Sequence, residues 1–203
     1  MDEKKLEILD RASVVYMKFG VKSVTMDDLA RELAISKKTI YNYFNDKNDL
    51  VTSIIEMKVH MDSAVCTNTA AQSENAIDEL IQISEVVTKQ FNNFNPIVFS
   101  DIKKFHKDAW QVIETHKMIF VLNMITKNIE RGIQEKIYRA NLNPSIAAKL
   151  YVASSDAAMN PEIFRWPEFK FQDVFLEMIR LQINGMANDT GRLYLKKKLN
   201  TDA

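Results

Sequence analysis

The sequence is poor in the residues that organise most non-helical folds. It has one cysteine, four glycines and four prolines among 203 residues. A single cysteine excludes an intramolecular disulfide framework and any cysteine-rich zinc site. So little glycine and proline excludes collagen-like and loop-dominated folds, and 46% hydrophobic residues is too many for a disordered chain. Net charge is lacking as well, since 27 Lys+Arg balance 27 Asp+Glu. No global basic field therefore advertises nucleic acid or an anionic membrane, and any such signal has to be local. Long apolar runs are missing; the longest, Met118 to Ile125, is interrupted by Asn123 and far too short to span a bilayer. The opening residues MDEKKLEILD are charged and lack the apolar core of a signal peptide. The expectation is a soluble, cytoplasmic protein with no membrane partner, long enough for one large domain or two small ones.

The placement of proline and glycine is informative. No proline and only Gly20 occur before position 96, and three of the four prolines follow Asn, as Asn95-Pro96, Asn143-Pro144 and Asn160-Pro161. Asn suits a helix N-cap and Pro the first helical position, so each pair reads as a helix start. The apolar spacing between these marks is helical throughout and nowhere alternates as in a strand, which predicts an all-α chain of about nine or ten helices. A first helix carries Leu6, Leu9, Ala12, Tyr16 and Phe19 and stops at Gly20. A second starts at Thr25, where Thr25-Met26-Asp27-Asp28 approximates a capping box, and ends near Leu33. A very short third covers Ser36 to Phe44, and a fourth runs from about Asp46 to Ala64. The uncharged stretch Ser63 to Ser73 reads as a helix end or loop. Further helices are expected over Glu74–Phe91, Pro96–His106, Asp108–Gly132, Pro144–Met159 and Pro167–Ala187.

Residues 25–50 hold the strongest functional signal. Two short helices joined at Ala34-Ile35-Ser36 have the dimensions of a helix-turn-helix, whose second helix enters the major groove of DNA. From Ile35 to Asn45 there are two lysines, Lys37 and Lys38, and no acid, with Thr39, Tyr41, Asn42, Tyr43 and Asn45 as groups able to meet phosphates or base edges. Ile40 and Phe44, four apart, would face the core. A polar face with two lysines is equally what a solvated helix presents, so the residues alone leave both readings open.

The run from Ile8 to Leu50 closely resembles the DNA-binding head of the TetR/AcrR family of bacterial transcriptional repressors. It carries Ala12, Phe19-Gly20, Thr25, Leu29-Ala30, Ser36, Thr39, Tyr41, Tyr43-Phe44, Lys47 and Leu50. One departure is Ala34, where the family's turn has Gly; Ala tolerates a positive φ poorly. Another is the acidic pair Asp27-Asp28, which suits the second helix badly to reading DNA. The resemblance implies a three-helix helix-turn-helix head over residues 1–46 and a larger helical ligand-binding and dimerisation body over 47–203. It implies phosphate contacts for Thr25, Thr39, Tyr41, Tyr43 and Lys47, base-edge contacts for Lys37 and Asn42, and marginal ones for Ser36 and Lys38. Plainer alternatives stand beside these: Thr25 as a cap alone, Tyr41 as a packing residue, Lys47 as a solvated lysine. A cation at Lys47 opposes its helix dipole, which favours an anionic partner.

In such a repressor, residues 46–134 would be the sensor for a small-molecule effector. Its candidate lining is Met57, Met61, Phe91, Phe105, Trp110, His116, Phe120, Asn123 and Met124, adaptable and aromatic side chains suited to a flat apolar ligand. Any one of them is as readily core, and His116 and Asn123 stand out as polar groups in apolar surroundings. His60, His106, His116 and Cys66 show no metal-ligand spacing, so neither metal nor cofactor is expected. The small residues of 147–158 and the apolar residues between Phe171 and Met186, Phe175 and Met178 among them, suggest that the last two long helices pair with those of a second copy. The resulting expectation is a homodimeric repressor of a palindromic operator, released by its ligand. The alternatives are an α-helical enzyme, for which no nucleophile elbow, phosphate loop, HExxH or paired-carboxylate signature is present, and an interaction protein with a vestigial head.

Overall fold

A computed structural model describes residues 2–90, 97–165 and 167–200. Among these the chain forms eleven α-helices and one π-helical stretch, with no strand beyond an isolated bridge between Tyr138 and Ala187. The helices are α1 (Glu3–Phe19), α2 (Met26–Leu33), α3 (Lys37–Tyr41), α4 (Lys47–Gln72), α5 (Ala76–Gln90), α6 (Ile97–Phe105), α7 (Lys107–His116), α8 (Leu122–Gln134), α9 (Pro144–Ala158), α10 (Phe171–Met186) and α11 (Asp189–Asn200). The π-helical stretch, Lys117–Val121, joins α7 to α8. No described helix is long and apolar enough to cross a membrane.

The chain divides into two compact units, Met1–Ser63 with Asn93–His116, and Ala64–Asn92 with Lys117–Ala203. In the first, Ile8, Leu9, Ala12 and Tyr16 of α1 pack with Leu29 and Leu33 of α2, Ile40 of α3, and Leu50, Val51 and Ile54 of α4. Val98 and Ile102 of α6 and Ala109 of α7 complete this core. Asp2 caps α1, its carboxylate accepting from the Lys4 amide at 2.8 Å, and Gly20 ends that helix at φ 86°. The second unit buries Ile77 and Leu80 of α5, Ile125 and Ile129 of α8, Tyr151 of α9, and Phe175, Ile179 and Ile183 of α10 around Tyr138.

Several boundaries differ from expectation. Helix α4 does not stop at Ala64 but continues to Gln72 through the uncharged stretch. Its end is held by a distant residue: the Arg131 guanidinium donates to Ser73 O at 2.9 Å and Ala70 O at 3.3 Å. Asn143-Pro144 does start a helix, with Asn143 Oδ1 accepting the Ile146 amide at 3.1 Å. Asn160-Pro161 makes only a turn, in which the Ile163 and Phe164 amides donate to Asn160 O. The next helix waits until Phe171 rather than Pro167. Asn95-Pro96 lies outside the described residues. A last helix beyond those expected, α11, follows and carries the basic residues Arg192, Lys196, Lys197 and Lys198. It is anchored by buried Leu195, by Lys198 on Asp78 at 2.7 Å, and by the Tyr194 hydroxyl on Glu74 at 3.2 Å. Phe175 and Met178, expected at an intersubunit bundle, are buried within their own unit.

Candidate nucleic-acid interface

Helix α2 begins with a complete capping box. Thr25 Oγ1 accepts the Asp28 amide at 3.1 Å, and the Asp28 carboxylate accepts the Thr25 amide at 3.1 Å and its hydroxyl at 2.6 Å. These bonds, with Arg31 assisting, hold the Asp28 carboxyl below its usual range. The helix closes with Ala34 in the left-handed region (φ 54°, ψ 41°) and with the Ile35 amide donating to Ala30 O at 3.0 Å. That backward bond satisfies a terminal carbonyl as in a Schellman motif. Arg11 of α1 donates to Leu33 O at 2.7 Å, tying the same end to the first helix.

Helix α3 is started by Ser36, whose Oγ accepts the Thr39 amide at 3.0 Å and shares a hydrogen bond with Thr39 Oγ1 at 2.8 Å. Ile40 within it and Phe44 just beyond it are buried, which fixes how the helix is rolled on the core. That roll leaves Ser36, Lys37, Lys38, Tyr41 and Asn42 exposed, with Thr39 and Tyr43 half-buried. Lys37 is not idle: its ammonium meets Asp27 at 2.9 Å across the turn, and this bond raises its pKa. The acidic pair noted in the sequence is therefore spent locally, Asp28 on the cap and Asp27 on Lys37.

Lys47 begins α4, where a cation is disfavoured by the helix dipole. Its Nζ reaches back to donate to Val24 O at 2.6 Å and lies 5.8 Å from the Tyr16 ring centroid. Burial lowers its pKa, while Asp101 and Asp28 pull the other way. The contact brings the ammonium beside the residue preceding Thr25, so all nine expected DNA-facing residues fall within the first unit and around one helix-turn-helix. Some supports were invisible in the sequence. Buried Asp101 of α6 accepts the Lys22 amide at 2.8 Å, and His106 Nδ1 lies 3.1 Å from Asn48 Oδ1 at the start of α4. Burial lowers the His106 pKa, with Lys47 adding to the effect and Asp101 and Asp46 opposing it. Apart from the proximity of opposite charges at Asp27 and Lys37, none of these pairings has a local sequence signal.

The expected ligand-lining residues are more scattered. In the first unit Met57 and Trp110 pack on the core, while Met61 and Phe105 are exposed. Trp110 and Phe105 each lie under a lysine ammonium, Lys103 at 5.3 Å and Lys22 at 4.8 Å. His116 is half-buried, with Nδ1 3.5 Å from Ser63 Oγ, and burial lowers its pKa. In the second unit Phe120 is half-buried and Met124 packs on the core. Asn123 is exposed rather than enclosed, because Ile125 and Ile129 set the inward face of α8 and Asn123 falls off it. Phe91 lies outside the described residues.

The first unit and the chain as a whole are similar to known proteins. Residues 8–54 match "Bacterial regulatory proteins, tetR family". The chain is 25% identical over 174 residues to YvaF, an uncharacterised HTH-type transcriptional regulator of Bacillus subtilis, covering 82% of this chain and 87% of that protein. It is 29% identical over 161 residues to YhgD, another such regulator of the same organism, covering 75% and 82% of the two chains. A TetR-family regulator from Agrobacterium tumefaciens shares the fold with a TM-score of 0.73 at 17% identity, over 91% of this chain and 98% of its own. With its helix-turn-helix matched in sequence and its all-α architecture matched in space, the chain carries over residues 8–54 the helix-turn-helix of the tetR family of bacterial regulatory proteins and is a transcriptional regulator similar to the HTH-type regulators above.

Proposed function

We propose that the chain is a homodimeric repressor that binds a palindromic DNA operator in the cytoplasm and is released by a small molecule, acting without catalysis. The observation that carries the DNA reading is the roll of α3. Ile40 is fully buried, so Ser36, Lys37, Lys38, Tyr41 and Asn42 are exposed together. Lys37 and Asn42 read base edges; Thr25, Thr39, Tyr41, Tyr43 and Lys47 hold phosphates; Ser36 and Lys38 lie at the margin. The functional boundary falls near residue 46, where the helix-turn-helix gives way to α4. The sensor role is assigned to half-buried side chains that offer adaptable and aromatic surface, Met57, Trp110 and His116 in the first unit and Phe120 and Met124 in the second. Dimerisation is assigned to α9 and α10, which expose Ile146 (59%), Leu150 (60%) and Leu181 (65%).

Lys37→Ala and Lys47→Ala form a matched pair for testing the head, since each removes one positive charge. Losing the Lys47 phosphate contact should weaken operator and scrambled duplexes alike and reduce the salt slope by about one unit per charge. Losing Lys37 should cost roughly 1–3 kcal/mol on the operator and relax preference at one position of each half-site. Titrations at several salt concentrations distinguish them. Equal loss on both duplexes for Lys37→Ala would remove its base-reading role.

A further inference from the structure

Tyr16 of α1 is 3% exposed, and its hydroxyl has no hydrogen-bond partner. Buried polar groups are almost always bonded, so an orphan hydroxyl asks for a reason. Among the described residues one other buried side-chain atom shares this state, Asp78 Oδ1, and there the Lys198 ammonium at 2.7 Å supplies the compensation. Tyr16 has none. Its surroundings are those of the proposed phosphate contacts. Lys47 Nζ lies 5.8 Å from its ring centroid, and the phenol of exposed Tyr41 is close enough to act on its ionisation. An ammonium has three N–H donors, and one of Lys47's is given to Val24 O at 2.6 Å. Two remain for an anion, on the side of α1 where the Tyr16 ring lies. A neutral O–H next to a cation is a strong donor to an anionic oxygen, because charge-assisted bonds are the stronger kind.

We propose that the Tyr16 hydroxyl is a further donor to the DNA phosphate held by Lys47 and Tyr41, becoming available when the exposed Tyr41 side chain swings onto the backbone. This rests on the reading of Lys47 and Tyr41 as phosphate contacts. The orphan hydroxyl is then the unbound half of a hydrogen bond completed by DNA.

Tyr16→Phe in the full chain tests it with a random-sequence DNA duplex, since a phosphate contact needs no particular operator. Because the hydroxyl has no partner without DNA, its removal should leave the melting temperature unchanged or raise it. Affinity for the duplex should fall about tenfold per head. The salt slope should stay the same, because no charge is lost. Lys47→Ala, measured beside it, should weaken binding and flatten the salt slope. In the Lys47→Ala background Tyr16→Phe should cost much less, as both groups serve one phosphate. Wild-type affinity for Tyr16→Phe alongside weak binding for Lys47→Ala overturns this inference and leaves the phosphate reading standing. No effect of Lys47→Ala removes both. A lowered melting temperature for Tyr16→Phe, or an equal loss in both backgrounds, also overturns it.

Discussion

Ala34 holds the turn between α2 and α3 at φ 54° and ψ 41°, a region that costs a residue with a Cβ. The expected Gly is absent and yet the turn keeps the conformation a Gly would adopt, so the strain is borne rather than relieved. Ala34→Gly should raise stability by about 0.5–1 kcal/mol, the relief of the left-handed conformation less the greater unfolded-state freedom of Gly. A rise in the urea midpoint at unchanged slope checks this; a fall would mean the turn carries no strain. At this scale the caps were legible, because Thr25, Ser36 and Asn143 each act on an amide three residues ahead. Lys47 on Val24 O, Arg11 on Leu33 O and Asp101 on the Lys22 amide join residues 23, 22 and 79 apart, and no local pattern reports such pairings.

Among the helices, α4 and α11 show how a distant partner decides an element's extent. The stretch from Ser63 to Gln72 has neither a strong apolar stripe nor charge to support it. It stays helical to the point where Arg131, also paired with Glu79 at 3.1 Å and Glu135 at 2.7 Å, captures its last carbonyls. Asn160-Pro161 had the same local signal as Asn143-Pro144 and made a turn, so a cap permits a helix without compelling one. Gly132 in α8 tests packing against propensity. Ala there should favour the helix by about 1 kcal/mol, but its Cβ would overlap the ring of Tyr138, which is buried to 1%. Overpacking of this kind costs roughly 1–3 kcal/mol, and a rigid buried ring puts it at the upper end, so Gly132→Ala should lower the melting temperature. A more stable variant would show that Tyr138 can move aside.

For the molecule as a whole, association depends on apolar faces left uncovered, and burial shows which substitutions can report on it. Phe175 and Met178 are 5% and 9% exposed within their own unit, so a Glu at either would unfold it rather than report on association. Leu150 and Leu181 are exposed on α9 and α10, two helices joined by Gln182 Nε2 donating to Ser154 Oγ at 3.0 Å. Leu150→Glu with Leu181→Glu should therefore keep its helical circular dichroism while light scattering drops from a dimer to the 23.4 kDa monomer. DNA affinity should fall with it, because one head meets one half-site. A wild-type monomer would overturn the dimer, and a double variant that still dimerises would relocate its interface.

The sequence by itself determined the helical class, the helix-turn-helix and its caps, and the inward placement of Ile40 and Phe44, because each depends on contacts within one or two turns. Tertiary structure alone decided that α6 fastens to the loop after α1 through Asp101, that Arg131 ends α4, that Asn123 faces outward, and that the apolar face of α10 belongs mostly to its own core. Helix periodicity says that a face is apolar. What covers that face depends on residues brought together from far along the chain, and only the folded arrangement of the helices supplies them.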